Sequence, residues 1–268
     1  MKGASVLKLG LGAAAVAMVL AGAGLARGEG DGKGESVAVS TTGFVFKSVP
    51  IPGAPGAEME YVVYVPREYS ADRGAAWPAI MFLHGRGESG TDGQKMIAQG
   101  IGTNILWNAS RWPAIVVMPQ KPDADQQWET YDAAVMSILE QVRKEYRVDP
   151  DRIALTGLSQ GGHGTWMLGA MHPQTWCALA PICGYADSNG GSSTPQWIAE
   201  RVKDLPIWTF HGDADDVVLP GQTEAIVAAL KSAGAKSVKM TLYPGVNHGS
   251  WDRAYAEKEL PGFLMKGK

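Results

Sequence analysis

Cysteine is nearly missing from this sequence: Cys177 and Cys183 are the two among 268 residues. They stand six positions apart on what reads as one strand, where six extended steps span roughly 20 Å, far beyond disulfide reach. The count therefore excludes a disulfide framework, and two buried free thiols are expected. Charge is also scarce, at 19% of residues. Lysine and arginine form no run, and the net charge is −3. That excludes the electrostatic footprint of a nucleic-acid or anionic-membrane binder. No apolar run reaches spanning length; the longest, over 9–23, is short and rich in alanine and glycine. The phosphate-cradling pattern G-x-x-x-x-G-K-[ST] is absent as well.

What is present divides into three parts. Lys2 and Lys8 precede the apolar stretch over 9–23, and small residues follow at Ala21-Gly22-Ala23 and Gly24-Leu25-Ala26. This is the layout of a secretory signal peptide over 1–26, with cleavage after Ala26, and it places the mature chain outside the cell or in a periplasm. Residues 27–42 are polar and rich in Gly, Ser, Glu and Lys, a tether with little to bury. The sequence as a whole is 45% hydrophobic, and residues 43–268 read as one catalytic-sized core, with no repeat and no second domain.

Within that core, two β-rich runs over 44–49 and 58–65 flank a Pro/Gly turn and read as an antiparallel pair. Near-continuous apolar runs follow over 79–83, 114–118, 153–157, 178–182, 207–210 and 238–243. Such runs are buried on both faces, so the class is α/β: a mostly parallel sheet of about eight strands with helices on both faces. Between the strands, 131–146 places Ala134, Ile138, Val142 and Tyr146 on one helical stripe, and 224–233 does the same with Ile226, Val227 and Leu230.

The sharpest motif is Gly157-Leu158-Ser159-Gln160-Gly161-Gly162, which follows the strand over 153–157 and precedes a helical stretch over 162–171. G-x-S-x-G in a strand, turn, helix setting marks Ser159 as a candidate nucleophile on a strained turn. A serine hydroxyl is a weak nucleophile and needs a histidine base oriented by an acid, in the chain order Ser, Asp or Glu, His. His84 precedes Ser159. His163 sits on the same helix as the serine, His172 ends that helix, and His211 ends a strand and is expected to pack there. His248, in the loop after the last strand, remains as the base. The acid belongs on the loop after the preceding strand, where Asp213, Asp215 and Asp216 crowd together and spacing does not choose. Their spacing does not fit a calcium loop, so no metal and no cofactor is expected.

The strand over 79–83 ends in His84-Gly85-Arg86-Gly87-Glu88-Ser89-Gly90. A loop of this kind supplies a backbone N–H to an oxyanion, and the candidate donors are the amides of Arg86 and Gln160. Gly85, Gly87 and Gly90 also fit G-x-G-x-x-G, but neither the helix nor the partner acid of a dinucleotide site follows.

Together these motifs resemble the α/β-hydrolase superfamily, in its branch of exported esterases, predicted peptidases, depolymerase-like and feruloyl-esterase-like enzymes. The 84–92 segment is similar to that branch's HGxGExGxD, 157–166 to its GxSxGGxGxW, and 181–184 to its PxCG. The likeness spans about 44–263. It implies Asp215 as the acid, through HGxxDxxV, and supports His248. It also implies a serine esterase acting on a small-molecule or polymer-linked ester, with an oligopeptidase-like activity or a noncatalytic scaffold as alternatives. Trp128, Trp166 and Trp251 are expected near the cleft, as an aromatic wall or as core. Asp216 stands where relatives often carry proline, which raises the question whether a second carboxylate disturbs the acid.

Overall fold

The computed structural model describes residues 42–71, 74–186 and 193–268. The expected signal peptide over 1–26, and all but the last residue of the tether over 27–42, lie outside them. Eight strands form one sheet: β1 (Gly43–Pro50), β2 (Glu58–Val65), β3 (Trp77–Leu83), β4 (Ile115–Gln120), β5 (Val148–Leu158), β6 (Ala178–Ile182), β7 (Ile207–Gly212) and β8 (Val238–Tyr243). Their order is β1-β2-β4-β3-β5-β6-β7-β8. The β1–β2 and β2–β4 pairs are antiparallel, and all the others are parallel. This is the α/β-hydrolase fold.

Among the described residues, five α-helices connect strands, α1 (Gly100–Trp107), α2 (Asp132–Glu145), α3 (Gln160–Met171), α4 (Pro195–Val202) and α5 (Pro220–Ser232), and two follow β8, α6 (Trp251–Ala256) and α7 (Leu260–Met265). The alternation of strand side chains sorts the core into two layers. Ala79, Met81 and Leu83 of β3 join Ile138 of α2, Trp166 of α3 and Leu230 of α5 on one face. Ile80 and Phe82 join Ile101 of α1, Tyr255 of α6 and Leu264 of α7 on the other. A strand with both faces covered must be apolar at every position, which is why these strands read as unbroken hydrophobic runs. Cys177 and Cys183 are both buried and unbridged. Among the described residues no helix is long and apolar enough to cross a membrane.

Several boundaries depart from the sequence expectation. β5 starts at Val148 rather than 153, because Val148 pairs with Trp77 before a register shift re-sets the ladder at Ala79–Ile153. β4 runs on to Gln120, carrying that residue to the end of the sheet. Helix α1 begins at Gly100, held at φ +57, where a Cβ would lie 2.9 Å from the side chains of Leu158 and Tyr255. Its two early glycines are weak helix formers, and packing against the sheet, not propensity, forms it.

The sheet delivers the chain to one place with little freedom. Between β5 and α3, Ser159 takes φ 55, ψ −116, a conformation that costs a non-glycine residue about 1–3 kcal/mol. Its N–H donates to Ile182 O at 2.9 Å and its carbonyl accepts from His163 N at 2.9 Å, so the turn is locked to β6 and to α3. The close approach that permits this depends on absent side chains: a Cβ on Gly161 would lie 1.9 Å from Leu83 O, and one on Gly157 would lie 2.4 Å from Gly161 O. Gly161→Ala must therefore push α3 away from the end of β3. Its expected cost is about 3 kcal/mol, the upper end for overpacking, seen as a lowered midpoint in chemical denaturation; a midpoint equal to that of the unaltered protein would contradict this account of the turn.

Candidate active site

Three strand ends bring the functional side chains together. Ser159 follows β5, Asp215 sits in the turn after β7, and His248 lies in the loop after β8. Ser159 Oγ is 2.8 Å from His248 Nε2, and His248 Nδ1 is 2.8 Å from Asp215 Oδ2. With the ring proton on Nδ1 and donated to the carboxylate, Nε2 is free to accept the hydroxyl proton as the oxygen attacks a carbonyl carbon.

The structure separates the three aspartates that spacing left open. Asp213 is exposed and accepts from Gly245 N at 2.6 Å, which ties the two loops together. Asp216 is exposed, and it is not among the groups that shift Asp215, so the second carboxylate leaves the acid undisturbed. Asp215 is 3% exposed and is met on all sides by donors. Its Oδ1 accepts from the amides of Val217 and Val218, each at 3.0 Å, and its Oδ2 faces His248 Nδ1 and, at 3.1 Å, His211 Nε2. Burial alone would raise this carboxyl, but the hydrogen bonds from His248, Val218 and Val217 outweigh it and hold the group below the usual carboxylate range.

His211, expected to do no more than pack at the end of its strand, has a second role. Burial pushes its pKa down, so the ring is neutral. Its Nε2–H points at Val218 O, 2.8 Å away, beside the Asp215 carboxylate, and its Nδ1 lies 2.8 Å from the Thr223 hydroxyl. The ring thus braces the acid's turn against α5. No sequence spacing signalled this; only the register of β7 places the ring beside the carboxylate. His163 and His172 are engaged elsewhere: His163 Nδ1 donates to Tyr185 O at 2.9 Å, and His172, which follows the last residue of α3, meets Asp132 Oδ1 at 2.7 Å.

The two candidate oxyanion donors share a geometry. Arg86 opens a single 3-10 turn over Arg86–Glu88, and Gln160 opens α3. First-turn N–H groups have no carbonyl partner within their own helix. Both residues line the same cavity as Ser159 and His248, a cleft of about 690 Å³. The N-terminal end of α3 adds a partial positive charge where an oxyanion would form.

The tryptophans divide. Trp251 lines the cleft, its ring edge-on to His248 with centroids 5.3 Å apart. Trp128 and Trp166 correct the expectation of an aromatic wall, since both are wholly buried core residues. Gly164 leaves room on α3 for the Trp128 ring, whose Nε1 donates to His84 O at 3.1 Å, so this residue supports the 84–90 loop from behind. In their place, Tyr185, Val217 and Leu219 form the cleft wall with Trp251. Val217 and Leu219, 68% and 63% exposed, give it an apolar rim.

Cys183, Asp215 and His248 present ligand atoms within 4.8 Å of one another. The Asp215 and His248 atoms are engaged with each other, and burial pushes the Cys183 thiol up to about 12. A protonated thiol is a poor ligand, so this donor set is suited to moving a proton rather than to holding a metal ion.

Residues 53–242 match the protein family described as "Putative esterase". A solved structure of a thermostable esterase is 31% identical, with a TM-score of 0.69 over 84% of this chain and 63% of that one. A "Probable carboxylesterase" of Oryza sativa subsp. japonica is 30% identical over 139 residues, 51% of this chain and 51% of that protein. An "Uncharacterized secreted protein" of Arthroderma benhamiae is 23% identical over 230 residues, 72% of this chain and 24% of that protein. The chain spans from a quarter to a half of the length of these curated relatives. The family match covers well over half of the sequence and takes in the nucleophile turn, the 84–90 loop and the acid's turn, and the chain belongs to this esterase family.

Proposed function

We propose that this chain is a serine esterase that cleaves carboxylic esters through an acyl-enzyme intermediate. Ser159 attacks the ester carbonyl while His248 takes its proton; the tetrahedral oxyanion is held by the amides of Arg86 and Gln160. His248 then returns the proton to the leaving alcohol, and water, activated by the same ring, releases the acid. Asp215 orients the imidazole and balances its charge. The observation that carries this reading is the continuous hydrogen-bonded line from Ser159 Oγ through His248 to Asp215, beginning on a strained turn at a helix N-terminus. The apolar rim of Val217 and Leu219 and the Trp251 face favour a small-molecule or polymer-linked ester with a hydrophobic portion beside the scissile bond. We also propose that the chain is exported, on the strength of the signal-like layout of 1–26 and the secreted relative.

Ser159→Ala should reduce p-nitrophenyl ester turnover by about 10⁴-fold or more, and abolish labelling by a fluorophosphonate probe. Retained turnover in that variant would remove Ser159 from the chemistry. Matched ester and amide substrates should show faster ester turnover; the reverse would replace the esterase reading with a peptidase one. Trp128→Ala and Trp251→Ala should behave oppositely. The first creates a large buried cavity and should cost about 3–5 kcal/mol in denaturant titration. The second should leave that midpoint nearly unchanged while shifting KM across a series of acyl sizes. Edman sequencing of protein recovered from outside the cytoplasm should begin after residue 26; an N-terminus retaining Met1 would reject export by cleavage.

A further inference from the structure

Lysine is rarely buried without a carboxylate partner, because its ammonium loses hydration that only strong acceptors replace. Lys121, just past the end of β4, is such a residue: 0% exposed. Every polar group it has is turned toward the 84–90 loop or the segment that follows it. Its N–H donates to His84 Nε2 at 3.1 Å, and its carbonyl accepts from Gly90 N at 3.1 Å. Its Nζ donates to Ser89 Oγ at 2.9 Å and to Asp123 O at 2.6 Å. The ammonium is therefore a bridge between the loop that carries Arg86 and its own segment, 121–125.

That segment reaches the side chains of both residues whose backbone amides are the candidate oxyanion donors. Asp125 pairs with the Arg86 guanidinium, and Ala124 O accepts from Gln160 Nε2 at 3.2 Å. We propose that Lys121 is a positioning residue, whose buried ammonium pins the 84–90 loop to the 121–125 segment and so fixes the spacing of the Arg86 and Gln160 amides. The proposal rests on the esterase reading for its catalytic consequence, and on the hydrogen bonds alone for its structural one.

The groups facing the ammonium are few. From the loop come the Arg86 guanidinium and the His84 ring, which burial drives down to about 3 and keeps neutral. From its own segment come the carboxylates of Asp123 and Asp125. Burial, opposed by Asp123 and Asp125 and assisted by Arg86, lowers Lys121 to about 8. A hydrogen bond from an ammonium is roughly twice as strong as one from a neutral amine. The pin is at full strength below that pH and weakens as pH rises through it, so kcat should decline on the alkaline side while KM changes little.

The test uses the whole protein and two substitutions, Lys121→Met and Ser89→Ala. Amide hydrogen exchange at a single pH should show lost protection across 84–90 in Lys121→Met, with protection in α2 retained. In ester hydrolysis, Lys121→Met should lower kcat by about tenfold and remove the alkaline limb. Ser89→Ala takes one acceptor from the ammonium, which should move the limb to lower pH. Unchanged exchange over 84–90 overturns the structural claim even if no ester proves to be a substrate. A limb that is absent in the unaltered protein, or that stays in place in both variants, overturns the catalytic claim. If Lys121→Met does not fold, the exchange pattern and limb position of Ser89→Ala decide both.

Discussion

Three backbones meet with no side chain between them at the end of β5, and the rest of the site depends on that contact. Leu83 O closes on the position that a Cβ of Gly161 would occupy, and the turn so formed throws Ser159 into φ 55. A helix standing this close to the sheet places its own N-terminus at the serine, and it brings the end of β3, with the 84–90 loop, into the same cleft. The nucleophile and both candidate oxyanion amides therefore follow from one steric fact. The strain in the turn is offset by the two bonds that lock it, Ser159 N to Ile182 O and His163 N to Ser159 O. A looser contact would relax the serine and separate the helix N-terminus from the loop together.

Much of this was legible in the sequence because the relevant forces are local. All eight strands overlap the runs that the sequence marked: the inner strands β3, β4, β6 and β7 are buried almost throughout and so read as apolar runs, while the edge strands β1 and β8 keep exposed positions and were marked by their β-branched and aromatic residues. The nucleophile turn was legible for a related reason: glycine at 157 and 161 is a direct imprint of the missing Cβ atoms. Helices α1, α4, α6 and α7 left weaker marks. They are short, six to eight residues each, and they form because a covered sheet face demands an apolar partner, as Tyr255 provides between Phe82 and Trp112. Short segments of this kind carry too few turns for periodicity to stand out.

What stayed hidden was the support behind the site, because buried polar contacts run between elements distant in the chain and have no fixed spacing. Trp128 carried the right address but the wrong face: its ring backs the 84–90 loop instead of lining the cleft. His211 read as strand packing, yet the register of β7 sets its ring beside the carboxylate of Asp215. Lys121 carried no signal in the sequence, because its partners Ser89 and His84 lie more than thirty positions away. Three residues with little in common in sequence thus serve one purpose, to hold loops that have few apolar contacts of their own. A loop at the edge of a sheet gains order mainly from hydrogen bonds, and these count for most where water is excluded.

The same exclusion of water determines which groups at the site are able to exchange protons. Burial keeps His84 and His211 neutral and keeps Cys183 a thiol, so each holds one fixed protonation state around neutral pH. Asp215 is fixed in the opposite sense: the amides of Val217 and Val218 and the His248 Nδ1–H donate to its two oxygens, and these bonds hold it below the usual carboxylate range despite its burial. A carboxylate held charged in this way is suited to orient and balance an imidazole without taking the proton itself. His248 differs from all of them in position. It stands at the cleft with one nitrogen on the acid and the other on the serine, its side chain 19% exposed. With its neighbours fixed, the proposed acyl transfer would move its proton along one path, between Ser159, His248 and the leaving group. The environment of the site suppresses competing acids and bases by burying them, and that leaves His248 as the histidine that lines the cleft beside Ser159.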